Sequence, residues 1–290
     1  MESFTGSDLQ SLHRYSNDFL GVDFHIHSNA SDGLLNPKEV IKFAKKNNLV
    51  ALSLTDHDTV AGIEDAKDEA MKSDILLIHG IEVSTSYKGK IFHFLGHFIN
   101  PDSIEIKTLV EKYSIARKIR MSEIIDKLIK LGIDFDKDEF NETYEKVSSI
   151  TRGQLSHYLL KKGLVQSAEE IFSKYIGEGC PAYVQLDCIS SEKAIEMIKQ
   201  SGGVVTLAHP NLSSSDDFIQ KFVDAGLSGI ETDHPSQSKA DSNHYSRLAE
   251  RYSLLKMGGS DCHGDRLKGI RIGTHLQRID LIFELFSRCN

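Results

Sequence analysis

The 290-residue chain has no tryptophan, only four cysteines and only five prolines. Cys180, Cys188, Cys262 and Cys289 form no CxxC pair, which argues against a thiolate zinc site and against a disulfide scaffold. Such sparse usage fits reduced thiols. No run of about 18 apolar residues occurs, so no transmembrane helix is expected. The start, MESFTGSDLQSLHRYSND, is polar and mixed in charge and lacks the apolar stretch of a signal peptide. The expectation is a cytoplasmic protein with no membrane association. Basic residues are in deficit, 34 Lys and Arg against 42 Asp and Glu, for a net charge of −8. That balance disfavours sequence-independent binding of duplex nucleic acid. It leaves room for a small anion held by a few arginines or by metal. There is no P-loop, no Gly-rich dinucleotide turn and no G-x-S-x-G elbow, so kinase, dehydrogenase and serine-hydrolase chemistry lack support.

Histidine, by contrast, is abundant, at 13 residues. The rest of the composition, 40% hydrophobic and 26% charged, is that of an ordinary globular chain. A chain rich in His and poor in Cys points to an imidazole-based metal or acid–base site.

From about residue 20, short apolar runs alternate with amphipathic ones. The runs 20–26, 50–55, 75–79, 91–95, 203–208, 228–231 and 254–258 read as buried parallel strands bounded by turn residues. Between them 37–47, 60–72, 191–201, 215–225 and 239–252 read as helices, the first opened by Pro37. This alternation predicts an α/β protein with a parallel sheet or barrel. It stops between about 101 and 190, where 104–131, 136–146, 152–162 and 167–175 read as consecutive helices. We therefore expect a barrel formed by 20–100 and 191–290 and a helical insertion at 101–190. Residues 1–19 read as a loose arm or a helix packed on the outside.

Nearly every strand carries His, Asp or Glu at or near its end. These are Asp23, His25 and His27; Asp56, His57 and Asp58; Glu82; His93; His209; Glu231, Asp233 and His234; and Asp261 and His263. In barrel-type proteins the C-terminal strand ends carry the chemistry, so such residues would converge on one mouth. Residues i and i+2 of a strand share a face, so His25 and His27 could reach one metal, and Asp261 and His263 one or two neighbouring metals. A lone HxH is weak. HxH with TDHD and a late GSDxH is far more specific.

The motifs DFHIHS (23–28), SDG (31–33), TDHD (55–58), GIE (80–82), HFLG (93–96), AHP (208–210) and GSDCHG (259–264) together resemble the PHP (polymerase and histidinol phosphatase) superfamily. The likeness is strongest to its small phosphoesterases acting on nucleoside 3′,5′-bisphosphates, 5′-nucleotides and short RNA 5′ ends. It spans about residues 20–290. It implies a distorted seven-stranded TIM-like (β/α) barrel with a helical insertion. It also implies a trinuclear metal site of nine ligands. His25, His27 and Asp261 would hold the first ion, Glu82 would bridge first and second, His93 and His209 would complete the second, and Asp32, His57 and His263 would hold the third. Imidazole with carboxylate suits Mn²⁺, Zn²⁺ or Fe²⁺, two to three ions in all. Water acidified between two such ions would attack phosphorus in line as hydroxide. The products would be inorganic phosphate and a nucleoside or nucleotide.

Other residues keep two readings. Asp23, Asp56 and Asp58 are either carboxylates that support a metal-bound imidazole or strand-end caps. His234 is either a proton donor to the leaving group or a polar loop residue. Arg117 and Arg120, three apart on a helix, and Arg152 at a helix start are candidates for binding substrate phosphate, as insertion arginines do in the resembling family. For the first two the other reading is a solvated face. Where the family often has Arg-Pro-His, this chain has Arg152-Gly153-Gln154. His79 and His97 are expected to line strands. His13, His157, His244 and His275 have no partner pattern. Cys262 is expected to be a small buried hydrophobe.

The leading expectation is a phosphomonoesterase of a nucleotide. Histidinol-phosphate phosphatase ranks lower, because that branch usually has His where this chain has Asp32. A 5′→3′ exoribonuclease of short RNA would use the same site. A non-catalytic metal-binding module is disfavoured by the full set of nine ligand types. No protein partner is indicated.

Overall fold

The structure is a computed structural model that describes residues 6–16, 19–213, 215–264 and 271–289. Among these, nine strands build one sheet: β1 Leu20–Ile26, β2 Ala51–Leu54, β3 Leu76–Tyr87, β4 Lys90–His97, β5 Ile189–Ser190, β6 Val204–Leu207, β7 Gly229–Asp233, β8 Leu255–Gly258 and β9 Gln277–Arg278. Their order is β8-β7-β6-β4-β3-β2-β1-β9, with β5 beside β3. Past β8 the chain returns to β1, where Cys262 bridges Ile26 in parallel and the Asp261 N–H donates to the His25 carbonyl. The sheet is thus nearly closed, the distorted α/β barrel that the resemblance implied.

Two features depart from the sequence reading. The first is strand number. β5 and β9 are two residues long each, too short to show any period. The second is direction. β4 runs antiparallel to both β3 and β6, and β9 antiparallel to β1, within an otherwise parallel sheet. The cause is local. β3 does not stop near residue 79 but continues to Tyr87. It then turns through Lys88 and Gly89, whose φ values are 47° and 79°, so that Tyr87 pairs with Lys90. Two residues at positive φ make the hairpin turn whose twist matches the flanking strands. Glu82 accordingly lies inside a strand, opposite Leu95, and not at a strand end.

The helices are α1 Pro37–Lys46, α2 Ala61–Ser73, α3 Ile104–Lys130, α4 Lys137–Thr143, α5 Arg152–Lys161, α6 Ala168–Ile171, α7 Ser191–Gln200, α8 Ile219–Ala225, α9 Lys239–Tyr252 and α10 Asp280–Phe286. Asn36 and Glu39 form a capping box ahead of α1, with Pro37 in its first turn. α4 is shorter than its apolar pattern suggested. α6 is a single turn followed by a π turn at Phe172–Ile176, and α8 is preceded by a 3-10 turn at Asp216–Phe218. No described helix is long and apolar enough to cross a membrane.

The chain divides into two compact units, Met1–Val110 with Cys188–Asn290, and Glu111–Asp187. In the first unit β1 is buried on both faces from Gly21 to Ile26, as interior parallel strands are. One core cluster joins Val22, Phe24, Ile78 and Met257 to Leu9 and Leu12 of a 3-10 helix at Gly6–Arg14. A second packs α1 and α2 (Val40, Ile41, Ala44, Ile63, Ala66) on Leu52 and Leu54. The second unit has its own core, including Ile124, Leu128, Phe140, Leu155, Tyr158 and Ile171.

Candidate metal centre

Strand alternation turns His25 and His27 to the barrel interior, with their Nε2 atoms 3.1 Å apart. Both nitrogens face Glu82 Oε2, at 3.3 and 3.1 Å, and Asp261 Oδ1, at 3.3 and 3.0 Å. Glu82 Oε2 also lies 2.9 Å from His57 Nδ1. Its other oxygen lies 2.9 Å from both His93 Nδ1 and His209 Nε2. One buried carboxylate is therefore ringed by five imidazoles. Asp32 approaches His263 Nε2 at 3.2 Å and His57 Nε2 at 3.9 Å. Potential ligand atoms gather within 4.8 Å in the sets His25–His27–Glu82–Asp261, His57–Glu82–His93, His27–Asp32–His57–His263 and His25–Glu231–His234.

The donor set fits divalent cations. Glu82 Oε2 makes no hydrogen bond although three ring nitrogens lie within 3.3 Å, and His57 Nδ1, which faces it, is buried without one as well. A buried charged oxygen without a partner costs upwards of about 1–3 kcal/mol. A cation shared by the converging lone pairs removes that cost, and imidazole with carboxylate oxygen is a donor set for Mn²⁺, Fe²⁺ or Zn²⁺. Burial opposes the charge on Glu82, yet His57, His25 and His93 hold its carboxyl well below the usual carboxylate range. Asp261 and Asp32 are lowered in the same way against burial, chiefly by His25 and His263 for the first and by His263 and His57 for the second.

The loops that present these residues are built closely. Asp56 accepts from the Ser28 N–H, the Ser28 hydroxyl and the Ser31 hydroxyl, and so fixes the turn that carries Asp32. A Cβ on Gly33 would lie 2.7 Å from the His27 carbonyl oxygen, and one on Gly259 2.5 Å from the His25 Cβ. Both positions require glycine.

A model of the PHP domain matches residues 23–182. The chain is 31% identical to a 5′-3′ exoribonuclease of Haemophilus influenzae, covering 92% of this chain and 98% of that one. It is 30% identical to a 3′,5′-nucleoside bisphosphate phosphatase of Chromobacterium violaceum, covering 87% and 90%. Among solved structures, a metal-dependent phosphoesterase from Bifidobacterium adolescentis superposes with a TM-score of 0.87 at 25% identity, covering 95% of this chain and 98% of that one. The chain belongs to the PHP domain family. It is a PHP-type metal-dependent phosphoesterase, a hydrolase.

Several residues of this PHP chain sit otherwise than their spacing suggested. Asp261 and His263 do not share a strand face: β8 ends at Gly258 and Asp261 has φ 47°. Asp261 therefore joins the His25 set and His263 the Asp32 set. Cys262 between them is buried among the apolar residues under α1 and α2. Asp23 accepts the backbone N–H groups of His25, Ser260 and Gly273, and so ties strand ends together without bonding an imidazole. Asp58 accepts the Ser84 N–H at 2.7 Å, linking the β2 loop to β3. His234 is buried. Its Nε2 lies 3.3 Å from Asp261 Oδ2, and its Nδ1 2.8 Å from the Ser236 hydroxyl, which donates to Asn211. His97 bonds Ser53, His244 pairs with Asp216 and His275 with Asp233.

In the unit Glu111–Asp187, Arg117 is buried and acts as a like charge on Arg152. Arg152 donates to the Ile176 carbonyl and stacks over Phe172. Arg120 donates from Nε to the Val184 carbonyl. The start of α5 is not an open anion site. Thr151 accepts the Gly153 N–H, and Gln154 accepts the Thr151 N–H in a capping box.

From the sequence Glu231 reads only as one more strand-end carboxylate. Its oxygens bond His25 Nδ1 and the His209 N–H. The signal available was a second GIE triplet at 229–231, matching that at 80–82.

Proposed function

We propose that this phosphoesterase holds two to three divalent ions (Mn²⁺, Zn²⁺ or Fe²⁺) and releases inorganic phosphate from a nucleotide phosphomonoester, a nucleoside 3′,5′-bisphosphate or an AMP-like 5′-nucleotide. The observation that carries this reading is the Glu82 carboxylate, ringed by five imidazoles with one oxygen left without a hydrogen bond. His25, His27 and Asp261 would hold one ion, His93 and His209 a second, with Glu82 shared, and Asp32, His57 and His263 a third. Such ions, when bound, supply Lewis acidity toward phosphoryl oxygens and lower the pKa of water.

The chain's own residues have separable tasks. His234 offers a ring N–H beside Asp261, with Ser236 and Asn211 behind it, and would hand a proton to the leaving oxygen. Asp23 and Asp58 would act by fixing the strand ends that carry His25 and Glu82. Arg117 and Arg152 would bind a substrate phosphate, because a planar guanidinium grips phosphate in a bidentate way. Arg120, whose Nε donates to the Val184 carbonyl, would join them.

A second reading, 5′→3′ exoribonuclease action on short RNA, is favoured by the similarity over nearly the whole length of the Haemophilus enzyme. Both activities need the same site. The discriminating experiment is phosphate or nucleotide release with Mn²⁺ from adenosine 3′,5′-bisphosphate, AMP, histidinol phosphate and a 5′-phosphorylated dinucleotide. We expect the two nucleotides to be preferred; a preference for histidinol phosphate would overturn the substrate assignment. Glu82→Ala and Asp261→Ala should abolish activity and lower bound metal with the circular dichroism spectrum retained. Full activity in either would sink the site.

A further inference from the structure

We propose that Glu231 is a positioning residue that sets two of the candidate cation ligands at once, His25 from β1 and His209 from the turn after β6. The inference rests on the reading of those two histidines as ligands.

Glu231 is 1% exposed, and burying a carboxylate is unfavourable unless both oxygens are engaged. Here they are. Oε1 lies 2.9 Å from His25 Nδ1, and Oε2 accepts the His209 backbone N–H at 2.6 Å. The residue is itself fixed from behind: its carbonyl accepts from Gln237 Nε2 at 3.0 Å, and it pairs with Met257 in the β7–β8 ladder.

Each bond has a consequence at the site. An imidazole that gives its Nδ1 hydrogen to a carboxylate keeps the Nε2 lone pair for a cation. His25 Nε2 is the atom that faces Glu82 and Asp261. His209 adopts φ 26°, in the left-handed region that a side chain with a Cβ disfavours. The bond from its N–H to Glu231 holds that conformation, and in it Nε2 reaches Glu82 Oε1 at 2.9 Å. Glu231 thus governs the tautomer of one ligand and the backbone of another, and the two meet at Glu82.

Glutamine at position 231 cannot reproduce both bonds. It has one acceptor and one donor where Glu231 has two acceptors. If its oxygen faces His209, its amide N–H faces His25 Nδ1 and imposes the opposite tautomer. If its oxygen faces His25, its N–H groups oppose the His209 N–H.

The test compares wild type, Glu231→Gln and Glu231→Asp, stripped with chelator and titrated with Mn²⁺ and with Zn²⁺. Bound ions are counted by mass spectrometry, affinities read by chelator competition, and metal-free melting temperatures measured alongside. We expect affinity to fall about 10–100-fold for the ions at His25 and His209 in Glu231→Gln, in protein that keeps its metal-free circular dichroism spectrum even though the lost bond lowers the metal-free melting temperature. The ion at Asp32, His57 and His263 should remain. Glu231→Asp keeps the charge but not the reach, and should also bind more weakly; it serves if the glutamine variant does not fold. Wild-type affinity in either folded variant would overturn the positioning role. A wild type that takes up no metal would overturn the underlying reading instead.

Discussion

Glu82, His57 and Gly259 show how far a single position can be read. Many of the residues that meet at the site could be picked out because TDHD, HxH and GSDCHG are dense in groups that seldom cluster without a shared task. Their surroundings were not. Gly259 could not be seen from sequence as the residue that lets the chain pass His25, since that contact joins positions far apart in the chain. Gly259→Ala places a Cβ 2.5 Å from the His25 Cβ and backbone nitrogen, neither of which can yield easily. We expect a loss of about 1–3 kcal/mol in urea unfolding, together with weaker metal binding.

His97 gives a pH prediction at the same scale. Burial, with the charge of His25 second, pushes its pKa down to about 3. The folded state therefore keeps it neutral while the unfolded chain takes up a proton below about 6.5. Its contribution is fully present above pH 6.5 and is lost progressively as pH falls toward 3, by a few kcal/mol in order of magnitude. In metal-free protein, His97→Gln should flatten the fall in unfolding free energy between pH 7 and pH 5. An unchanged slope would mean that His97 is protonated in the fold.

At the scale of elements, periodicity located seven strands and most helices but not the direction of β4. The information lay in Lys88 and Gly89, a two-residue turn whose positive φ values reverse the chain. That reversal has a functional result. A reversed strand brings its early residues to the end of the barrel where parallel neighbours bring their last, so His93 meets His57 and Glu82. A Cβ at Gly89 would meet nothing within 4 Å, so substitution there tests backbone strain alone. Gly89→Val should cost about 1–2 kcal/mol in urea unfolding and speed amide exchange across β3 and β4. The start of α1 was readable because Pro37 marks a first helical turn, whereas the capping box of Asn36 and Glu39 behind it came from the structure. The end of α6 was not readable, because the π turn that follows it has no short-range signature here.

For the whole molecule, the two units with separate cores imply an unequal response to chelation. Ions bound only by the folded barrel add to its stability by mass action. Removing them with EDTA should lower the melting temperature and raise amide exchange at 24–27, 53–58 and 80–83. Exchange in the core of Glu111–Asp187, at 121–128 and 155–159, should not change. Equal loosening of both sets would contradict the assignment of the ions to the barrel residues. The sequence by itself determined the fold class, the family resemblance and the residue types of the site, because those rest on composition, period and short motifs. Only the tertiary structure decided which atoms meet. The pairing of Glu231 with His25 and His209 and the reversed direction of β4 follow from backbone direction and closure of the sheet. Those are properties of chain segments brought together from far apart, and no local pattern encodes them.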